Sequence, residues 1–225
     1  MDDIVSIATG NFIKAIYKFE HREGRDTRPG SIAKELGITN AAATDMARKL
    51  SLKNLVDYQK YKKLQLTPEG MKMALSIIRK HRLWETFLHQ VFGLTMHEIH
   101  REAEMLEHLT SDFLADKMSL FLGNPTFDPH GDPIPDEQGI LLSNDDWVTL
   151  SLAEPGKEYE ICRLSGSDKE FFDFCLTNRL MVNSNLFVKK QYIKNKMTEI
   201  ELNKVKLLLN SELTKLIYVK NAKIK

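Results

Sequence analysis

Histidine and glutamate side chains are concentrated between residues 81 and 108, at spacings that could build a metal site. Residues 100–108 read HREAEMLEH, and on an α-helix of 3.6 residues per turn one face would carry His100, Glu104, Glu107 and His108. His81 and Glu85 precede them at an i, i+4 spacing, so a helical hairpin would bring two sets of nitrogen and oxygen donors together. Six such residues at compatible spacings favour a metal site, and a structural polar network is the alternative.

The donor types predict which ions this cluster prefers. Imidazole and carboxylate without thiolate favour Mn(II), Fe(II), Co(II) or Zn(II) over Cu(I). The only two cysteines, Cys162 and Cys175, lie in apolar sequences, where we expect small buried side chains rather than a disulfide. A zinc-protease motif fits poorly, because HEIH at residues 97–100 is one residue shorter than the H-E-x-x-H spacing.

A helix-turn-helix pattern precedes the cluster. Apolar residues recur every three or four positions from Asp2 to Glu20 and predict a first helix, and SIAKELG predicts a short second helix that ends at Gly37. A third helix begins near Asn40, with Thr39 or Asn40 as its N-cap. Strand-like alternation over residues 56–66 around a lysine-rich turn then predicts a β-wing.

This order of elements predicts a DNA-binding surface. In a helix-turn-helix the second helix lies in the major groove, where its N-terminal residues contact base edges. The predicted exposed positions of that helix are Thr39, Asn40, Ala41, Ala42, Thr44, Asp45, Arg48 and Lys49. In the wing, the predicted phosphate contacts are Lys60, Lys62 and Lys63. A helical hairpin with a solvated basic loop is the alternative interpretation.

The elements that position the His/Glu cluster are two predicted helices, over residues 68–93 and 96–123. The proline-rich residues 124–139 predict an ordered loop or a linker at a domain boundary. Beyond Ser143, five short strand-like runs predict a small β-barrel, with EFFDFCLTNRL at residues 170–180 as its one helix.

Composition excludes several classes of protein. With 225 residues, 42% hydrophobic and 28% charged, the chain has the composition of a globular protein and not of a disordered or fibrous one. No apolar run approaches the ~20 residues of a membrane helix, and the N-terminus lacks the pattern of a secretory signal. We therefore expect a cytoplasmic protein without membrane contact. The net charge of +1 hides an uneven distribution, because basic residues prevail up to Leu75 and acidic residues between His97 and Asp116.

The order of these features resembles the iron- and manganese-dependent repressors of the diphtheria toxin repressor and manganese transport regulator type. The matching segments are SIAKELGITNAAATDMARKL, LQLTPEGMKMA, RKHRLWETFL, HREAEMLEH and HGDPIPDEQG. The resemblance implies a mostly α-helical protein with small β parts. It implies a winged helix-turn-helix over residues 1–73, a helical dimerisation and metal-binding domain over 74–142, and a C-terminal SH3-like β-barrel over 143–225.

By position, Glu104, Glu107 and His108 resemble the principal metal ligands of this family, and His81, Glu85 and His100 resemble those of its ancillary site. Glu104 stands where the iron-type members have Cys, as in the manganese-type members, and favours a harder ion. In the iron-type members the SH3-like domain can lend oxygen donors to the ancillary site, and Glu170 lies near that place in the sequence.

Two residues of the first helix depart from the family pattern. Asn11 stands where the family has Met or Asp, and Lys14 stands where the manganese-type members have Glu. An amide oxygen can still ligate a metal, whereas an ammonium group cannot. We expect Lys14 to pair with Glu104 or Glu107 and to supply part of the charge of a second ion. A Lys14 side chain that points to solvent is the alternative.

The combined prediction is a homodimeric repressor of metal uptake genes that binds an operator in double-stranded DNA and is not an enzyme. Its corepressor is expected to be Mn(II) or Fe(II), with Zn(II) or Co(II) able to substitute. One alternative is a winged-helix regulator without metal control, for which Lys14 is the best support. The other is a His/Glu metalloenzyme, which would leave the basic wing unexplained.

Overall fold

In a computed structural model of the chain, the described residues are 6–142, 146–166 and 168–222, without the side chains of residues 22 and 23. The predicted helix residues Asp2 and Ile4 and the predicted boundary at Ser143 lie outside them. The chain forms two compact units. The first unit comprises Met1–Trp84, Glu102–Pro125 and Ile134–Leu141; the second comprises Glu85–Arg101, Thr126–Pro133 and Leu142–Lys225.

The first unit begins with the predicted helix-turn-helix. Helix α1 (Ile7–Lys18) continues as a π-helical turn to Glu23, and α2 (Pro29–Leu36) and α3 (Asn40–Leu52) follow. Gly37 ends α2 in the left-handed conformation at φ 64°, which glycine adopts without a steric penalty. Thr39 caps α3, because its side chain accepts a hydrogen bond from the Ala42 N–H at 3.1 Å. The three helices enclose a core that includes Phe12, Ile13, Ile16, Phe19, Ile32 and Leu50.

The predicted wing is a two-stranded antiparallel hairpin, β1 (Val56–Asp57) and β2 (Gln65–Leu66). Helix α4 (Pro68–Phe92) follows it directly, with proline at its first position. Gly70 allows α4 to start close to the hairpin, because a Cβ atom there would lie 1.9 Å from the Leu55 carbonyl oxygen. These elements confirm the prediction of a winged helix-turn-helix.

The predicted single helix over residues 96–123 is wrong. Helix α5 (Met96–Leu106) ends in a 3-10 turn over Glu107–Leu109, and α6 (Asp112–Phe121) begins anew. The break has a local cause: the Thr110 hydroxyl donates to the Leu106 carbonyl at 2.8 Å, and Ser111 caps α6 by accepting from the Leu114 N–H at 3.2 Å. Glu107 and the neighbouring His108 therefore lie in a tight turn. They do not lie on the face of a continuing helix.

The second unit contains a six-stranded antiparallel sheet with the strand order β3-β8-β4-β5-β6-β7. The strands are β3 (Val148–Thr149), β4 (Glu158–Leu164), β5 (Asn185–Tyr192), β6 (Met197–Leu202), β7 (Val205–Asn210) and β8 (Ile217–Asn221). The predicted helix is present as α7 (Lys169–Thr177). It is not the only helix of this region, because the short α8 (Ser211–Leu216) precedes β8. The prediction of a mostly helical protein with a C-terminal β domain is confirmed.

The proline-rich segment is a loop with backbone hydrogen bonds. In the second unit, its His130 carbonyl accepts a hydrogen bond from the Leu164 N–H at 2.8 Å. Gly131 (φ 87°) is needed there, since a Cβ atom would lie 2.0 Å from the Cys162 carbonyl oxygen. Among the helices of the described residues, none is both long and apolar enough to cross a lipid bilayer.

Candidate metal centre and nucleic-acid interface

Two clusters of titratable side chains contain the predicted metal ligands. The first lies in the first unit and is called here the Lys14 cluster; it consists of Asn11, Lys14, His81, Glu104, Glu107 and His108. The second lies in the second unit and is called the Glu85 cluster; it consists of Glu85, His100, Asp128 and His130.

The centre of the Lys14 cluster is an ammonium group held by two carboxylates. Lys14 Nζ lies 2.7 Å from Glu104 Oε1 and 2.7 Å from Glu107 Oε1. Glu107 is fully buried, and its second oxygen, Oε2, lies 2.5 Å from His81 Nδ1. The expected pairing of Lys14 is confirmed and extends to both glutamates. The alternative, a Lys14 side chain that points to solvent, is wrong.

Helix α1 also contacts the turn after α5 through His108. The His108 Nε2 atom lies 2.7 Å from the Asn11 amide oxygen. Burial lowers the pKa of His108, and the Lys14 charge adds to this decrease against the opposing effect of the Glu107 carboxylate. The neutral ring therefore donates its Nε2–H to Asn11. Gly10 makes room for the ring, because a Cβ atom at Gly10 would lie 2.6 Å from His108 Cε1.

The Lys14 cluster has the donor atoms of a metal site, but its carboxylates already bind a cation. The two glutamate oxygens nearest to Lys14 each contact its ammonium group at 2.7 Å. His108 Nε2 is bonded to Asn11, and His81 Nδ1 to Glu107, so Nε2 is the His81 nitrogen that could ligate a metal. These residues do not fit an added divalent ion while Lys14 keeps this position.

The Glu85 cluster brings two predicted ligands together. Glu85 is 2% exposed. Its Oε1 lies 3.0 Å from His100 Nδ1, and its Oε2 lies 3.6 Å from His130 Nδ1. One ligand atom each from Glu85, Asp128 and His130 lie within 4.8 Å of one another. Buried carboxylate and imidazole donors at these distances fit a divalent transition metal.

His130 and its neighbour Asp128 are members of the Glu85 cluster that the sequence analysis missed, since nothing in a loop sequence marks these side chains as buried. His130 is 7% exposed, and its ring packs against Phe172 at 5.1 Å between centroids. Burial lowers its pKa, but the Glu85, Asp128 and Asp132 carboxylates outweigh burial and raise the pKa to about 9. His130 is therefore an imidazolium at neutral pH in the metal-free protein.

Glu170, the predicted donor from the C-terminal domain, is exposed in the first turn of α7. The groups of potential ligand atoms among the described residues do not include it.

The predicted DNA-reading residues lie at the start of α3. Thr39, Asn40, Ala41 and Ala42 are exposed, with small side chains that permit a close approach to base edges. Thr44 is half-buried and donates its hydroxyl to the Asn40 carbonyl at 2.8 Å. Further along α3 the exposed positions are Asp45, Arg48 and Lys49, and the Lys49 ammonium lies 2.8 Å from the Asp45 carboxylate.

The wing turn presents a compact positive surface. Lys60, Lys62 and Lys63 are all exposed. Tyr61 lies between them, 84% exposed and with φ 67°, and the Lys60 ammonium lies 4.8 Å from the centre of its ring. An exposed aromatic ring among three lysines could contact the sugar-phosphate backbone, and the sequence analysis did not single out Tyr61.

Comparison with known families supports both parts of this description. Residues 6–64 match the model of the iron dependent repressor, N-terminal DNA binding domain. Residues 67–136 match the model of the iron dependent repressor, metal binding and dimerisation domain. The Lys14 cluster draws residues from both matched ranges.

Among curated proteins, the chain is 32% identical over 145 residues to the diphtheria toxin repressor of Corynebacterium efficiens. The matched residues make up 64% of this chain and 62% of that protein. It is 33% identical over 135 residues to the iron-dependent repressor IdeR of Mycobacterium leprae, covering 60% of this chain and 58% of the relative. The chain thus spans about three fifths of the length of these relatives.

Among solved structures, a manganese-dependent transcriptional repressor in complex with manganese has a TM-score of 0.87 at 28% identity, covering 95% of this chain and 100% of that one. The repressor ScaR with bound Cd²⁺ has a TM-score of 0.79 at 28% identity, covering 95% and 99%. A further manganese-dependent transcriptional repressor is 31% identical, with a TM-score of 0.73 and coverage of 81% and 94%.

Proposed function

Because the chain belongs to the iron-dependent repressor family, we propose that it is a DNA-binding transcriptional repressor of metal uptake genes with Mn(II) or Fe(II) as corepressor. One observation carries the proposal: a winged helix with an exposed basic wing occurs in the same chain as the buried Glu85, Asp128 and His130 of the Glu85 cluster. The protein would then act as a regulator and not as an enzyme. It would act in the cytoplasm, where operator DNA is accessible.

The metal ligands proposed here come from the predicted ancillary set. Glu85 and His100 are paired at 3.0 Å. His81 stays a predicted metal ligand through its Nε2 atom. Carboxylate and imidazole donors suit Mn(II) and Fe(II), and they also accept Zn(II) or Co(II). Similar repressors bind manganese, cadmium or zinc. Glu170 stays a predicted additional oxygen donor.

The DNA-binding part would use two kinds of contact. The small residues at the start of α3 would approach base edges, while Arg48 and Lys49 on α3 and the wing lysines would contact phosphates. Phosphate contacts supply affinity without sequence information, whereas base contacts select the operator. Tyr61 would add a contact beside the wing lysines.

A homodimer suits this mode of binding, because two copies present two recognition helices to two half-sites about one helical turn apart. Helix α6 supports the proposal of a dimer. Its apolar side chains Phe113, Leu120 and Phe121 are between 61% and 71% exposed in the single chain. Exposed apolar side chains on one helix of a single chain are typical of a protein interface.

Metal control requires that the metal binds the DNA-competent arrangement better than the other arrangements, and linkage then requires that DNA tightens metal binding by the same factor. The experiment is a DNA-binding titration by fluorescence anisotropy, in Mn(II) and in chelator. We expect Mn(II) to raise the affinity at least about tenfold in the wild type. Glu85→Gln should lose most of this effect.

The matched control is Glu137→Gln, the same substitution at an exposed loop residue, which should respond to Mn(II) like the wild type. Equal DNA affinity of the wild type in Mn(II), in Fe(II) and in chelator would contradict the proposal. That result would favour the alternative function, a winged-helix regulator without metal control.

A further inference from the structure

The ammonium group of Lys14 acts as a counter-ion to both Glu104 and Glu107, and it is part of the chain. Lys14 Nζ contacts one oxygen of each at 2.7 Å. The side chain of Lys14 is 19% exposed and that of Glu107 is fully buried, so water screens this contact less than it screens a surface ion pair. Lys14 reaches these residues from α1, 90 and 93 positions away in sequence.

The charges of the cluster explain why a second cation would be opposed. Lys14, Glu104 and Glu107 together give a net charge of −1. The neighbouring Asn11 adds none, and a proton on His81, beside Glu107 Oε2, would only add positive charge. A divalent ion would bring the net charge of −1 to +1 and would lie beside a fixed positive charge in a partly buried place. An ammonium group also has no lone pair with which to ligate a metal. A carboxylate at residue 14 would reverse both effects.

We infer that Lys14 is a tethered cation that occupies the place of one divalent ion, so that this chain binds one metal fewer per subunit than it would with a carboxylate there. The same contact holds α1 to the turn after α5 without any metal. The inference rests on the proposed function only for the choice of Mn(II) as the probe.

The experiment is a count of Mn(II) bound per subunit, by calorimetric titration and by elemental analysis after dialysis, in the full chain. We expect Lys14→Glu to bind one more Mn(II) per subunit than the wild type. The matched control is Lys18→Glu, one turn further along α1, where the lysine is half-exposed and lies 3.5 Å from Glu35. This control makes the same charge change away from the cluster and should keep the wild-type count.

A second variant covers the case in which Lys14→Glu does not fold. Lys14→Met removes the charge with little change in length, and it should also gain one Mn(II), more weakly than Lys14→Glu. In chelator, the backbone amide hydrogens of α1 should exchange with solvent about tenfold faster in Lys14→Met than in the wild type, because the contact to the turn is lost.

The outcomes separate the inference from the proposed function. If the wild type binds Mn(II) and neither folded Lys14 variant binds more, the inference is overturned while the proposed function stands. If the wild type binds no Mn(II) and a Lys14 variant binds one, the inference stands and the proposed metal control fails. Unchanged exchange of α1 amides in Lys14→Met would also overturn the claim that Lys14 holds α1.

Discussion

The ion pair between His130 and Glu85 predicts a pH-dependent stability of the metal-free protein. The carboxylates around His130 raise its pKa from the ordinary 6.5 to about 9, against the opposing effect of burial. A histidine with a raised pKa in the folded state stabilises the protein fully below its unfolded pKa, near 6.5. This contribution is lost as the pH rises through about 9. Stability should therefore fall between these two pH values.

The magnitude follows from the two pKa values. A shift from 6.5 to about 9 corresponds to at most about 3 kcal/mol, at about 1.36 kcal/mol for each pKa unit. Between pH 6.5 and pH 8.5 the loss should be about 2 kcal/mol. The buried cysteines have only a small effect in this window. Burial raises the pKa of Cys162 and Cys175 from 9.0 to about 12, so their effect on stability becomes large only as an unfolded thiol ionises, around and above pH 9.

The assay is chemical unfolding in chelator at pH 6.5, 7.5 and 8.5, for the wild type and for His130→Gln. We expect the wild type to lose about 2 kcal/mol over this range and the variant to lose much less. Direct titration of the His130 ring by NMR, assigned with the same variant, should give a pKa near 9. Parallel stability curves for both proteins, or an NMR pKa below 7, would refute the reasoning.

Three further predictions concern the Lys14 cluster and the wing. Glu107→Gln should destabilise the metal-free protein by about 3 kcal/mol, because a buried ion pair loses its charge. The same change at the partly exposed Glu104 should cost less than about 1 kcal/mol. Equal unfolding midpoints of the two variants would contradict this. Gly10→Ala should destabilise by about 1–3 kcal/mol, because its Cβ displaces the His108 ring, and wild-type stability would show that the ring can move aside. Lys62→Ala should weaken binding to specific and unrelated DNA alike. It should also lower the slope of the logarithm of the binding constant against the logarithm of the salt concentration by about one; an unchanged slope would exclude a phosphate contact.

Elements with a regular hydrophobic period were predictable from the sequence. The strands β5, β6 and β7 match the predicted runs closely. In β6 and the first half of β5 the side chains alternate in burial, which leaves a period of two in the sequence. The helix α8 and strand β8 were missed for the opposite reason. Residues 213–219 read LTKLIYV, a short and mostly apolar segment that no period assigns to a helix or a strand, and the structure divides it between both.

The break between α5 and α6 shows a different limit of sequence reasoning. The apolar period continues through Thr110 and Ser111, and neither Gly nor Pro marks a helix end there. Side-chain hydrogen bonds of these two residues end one helix and start the next. Thr and Ser occur inside many helices, so their presence alone predicts no break, although the break places Glu107 where Lys14 reaches it.

The cationic side chains of the two clusters differ in whether they can lose a proton and then bind a metal. This difference decides where a metal could bind. Both pair a buried glutamate with a positively charged side chain, Lys14 in one and His130 in the other. An imidazolium that loses its proton gains a lone pair and becomes a metal ligand, so a metal can replace that proton at the Glu85 cluster. The Lys14 ammonium offers no lone pair and must leave its carboxylates before a metal can take them. A metal could therefore replace a proton at the Glu85 cluster, whereas at the Lys14 cluster it would first have to displace the ammonium group.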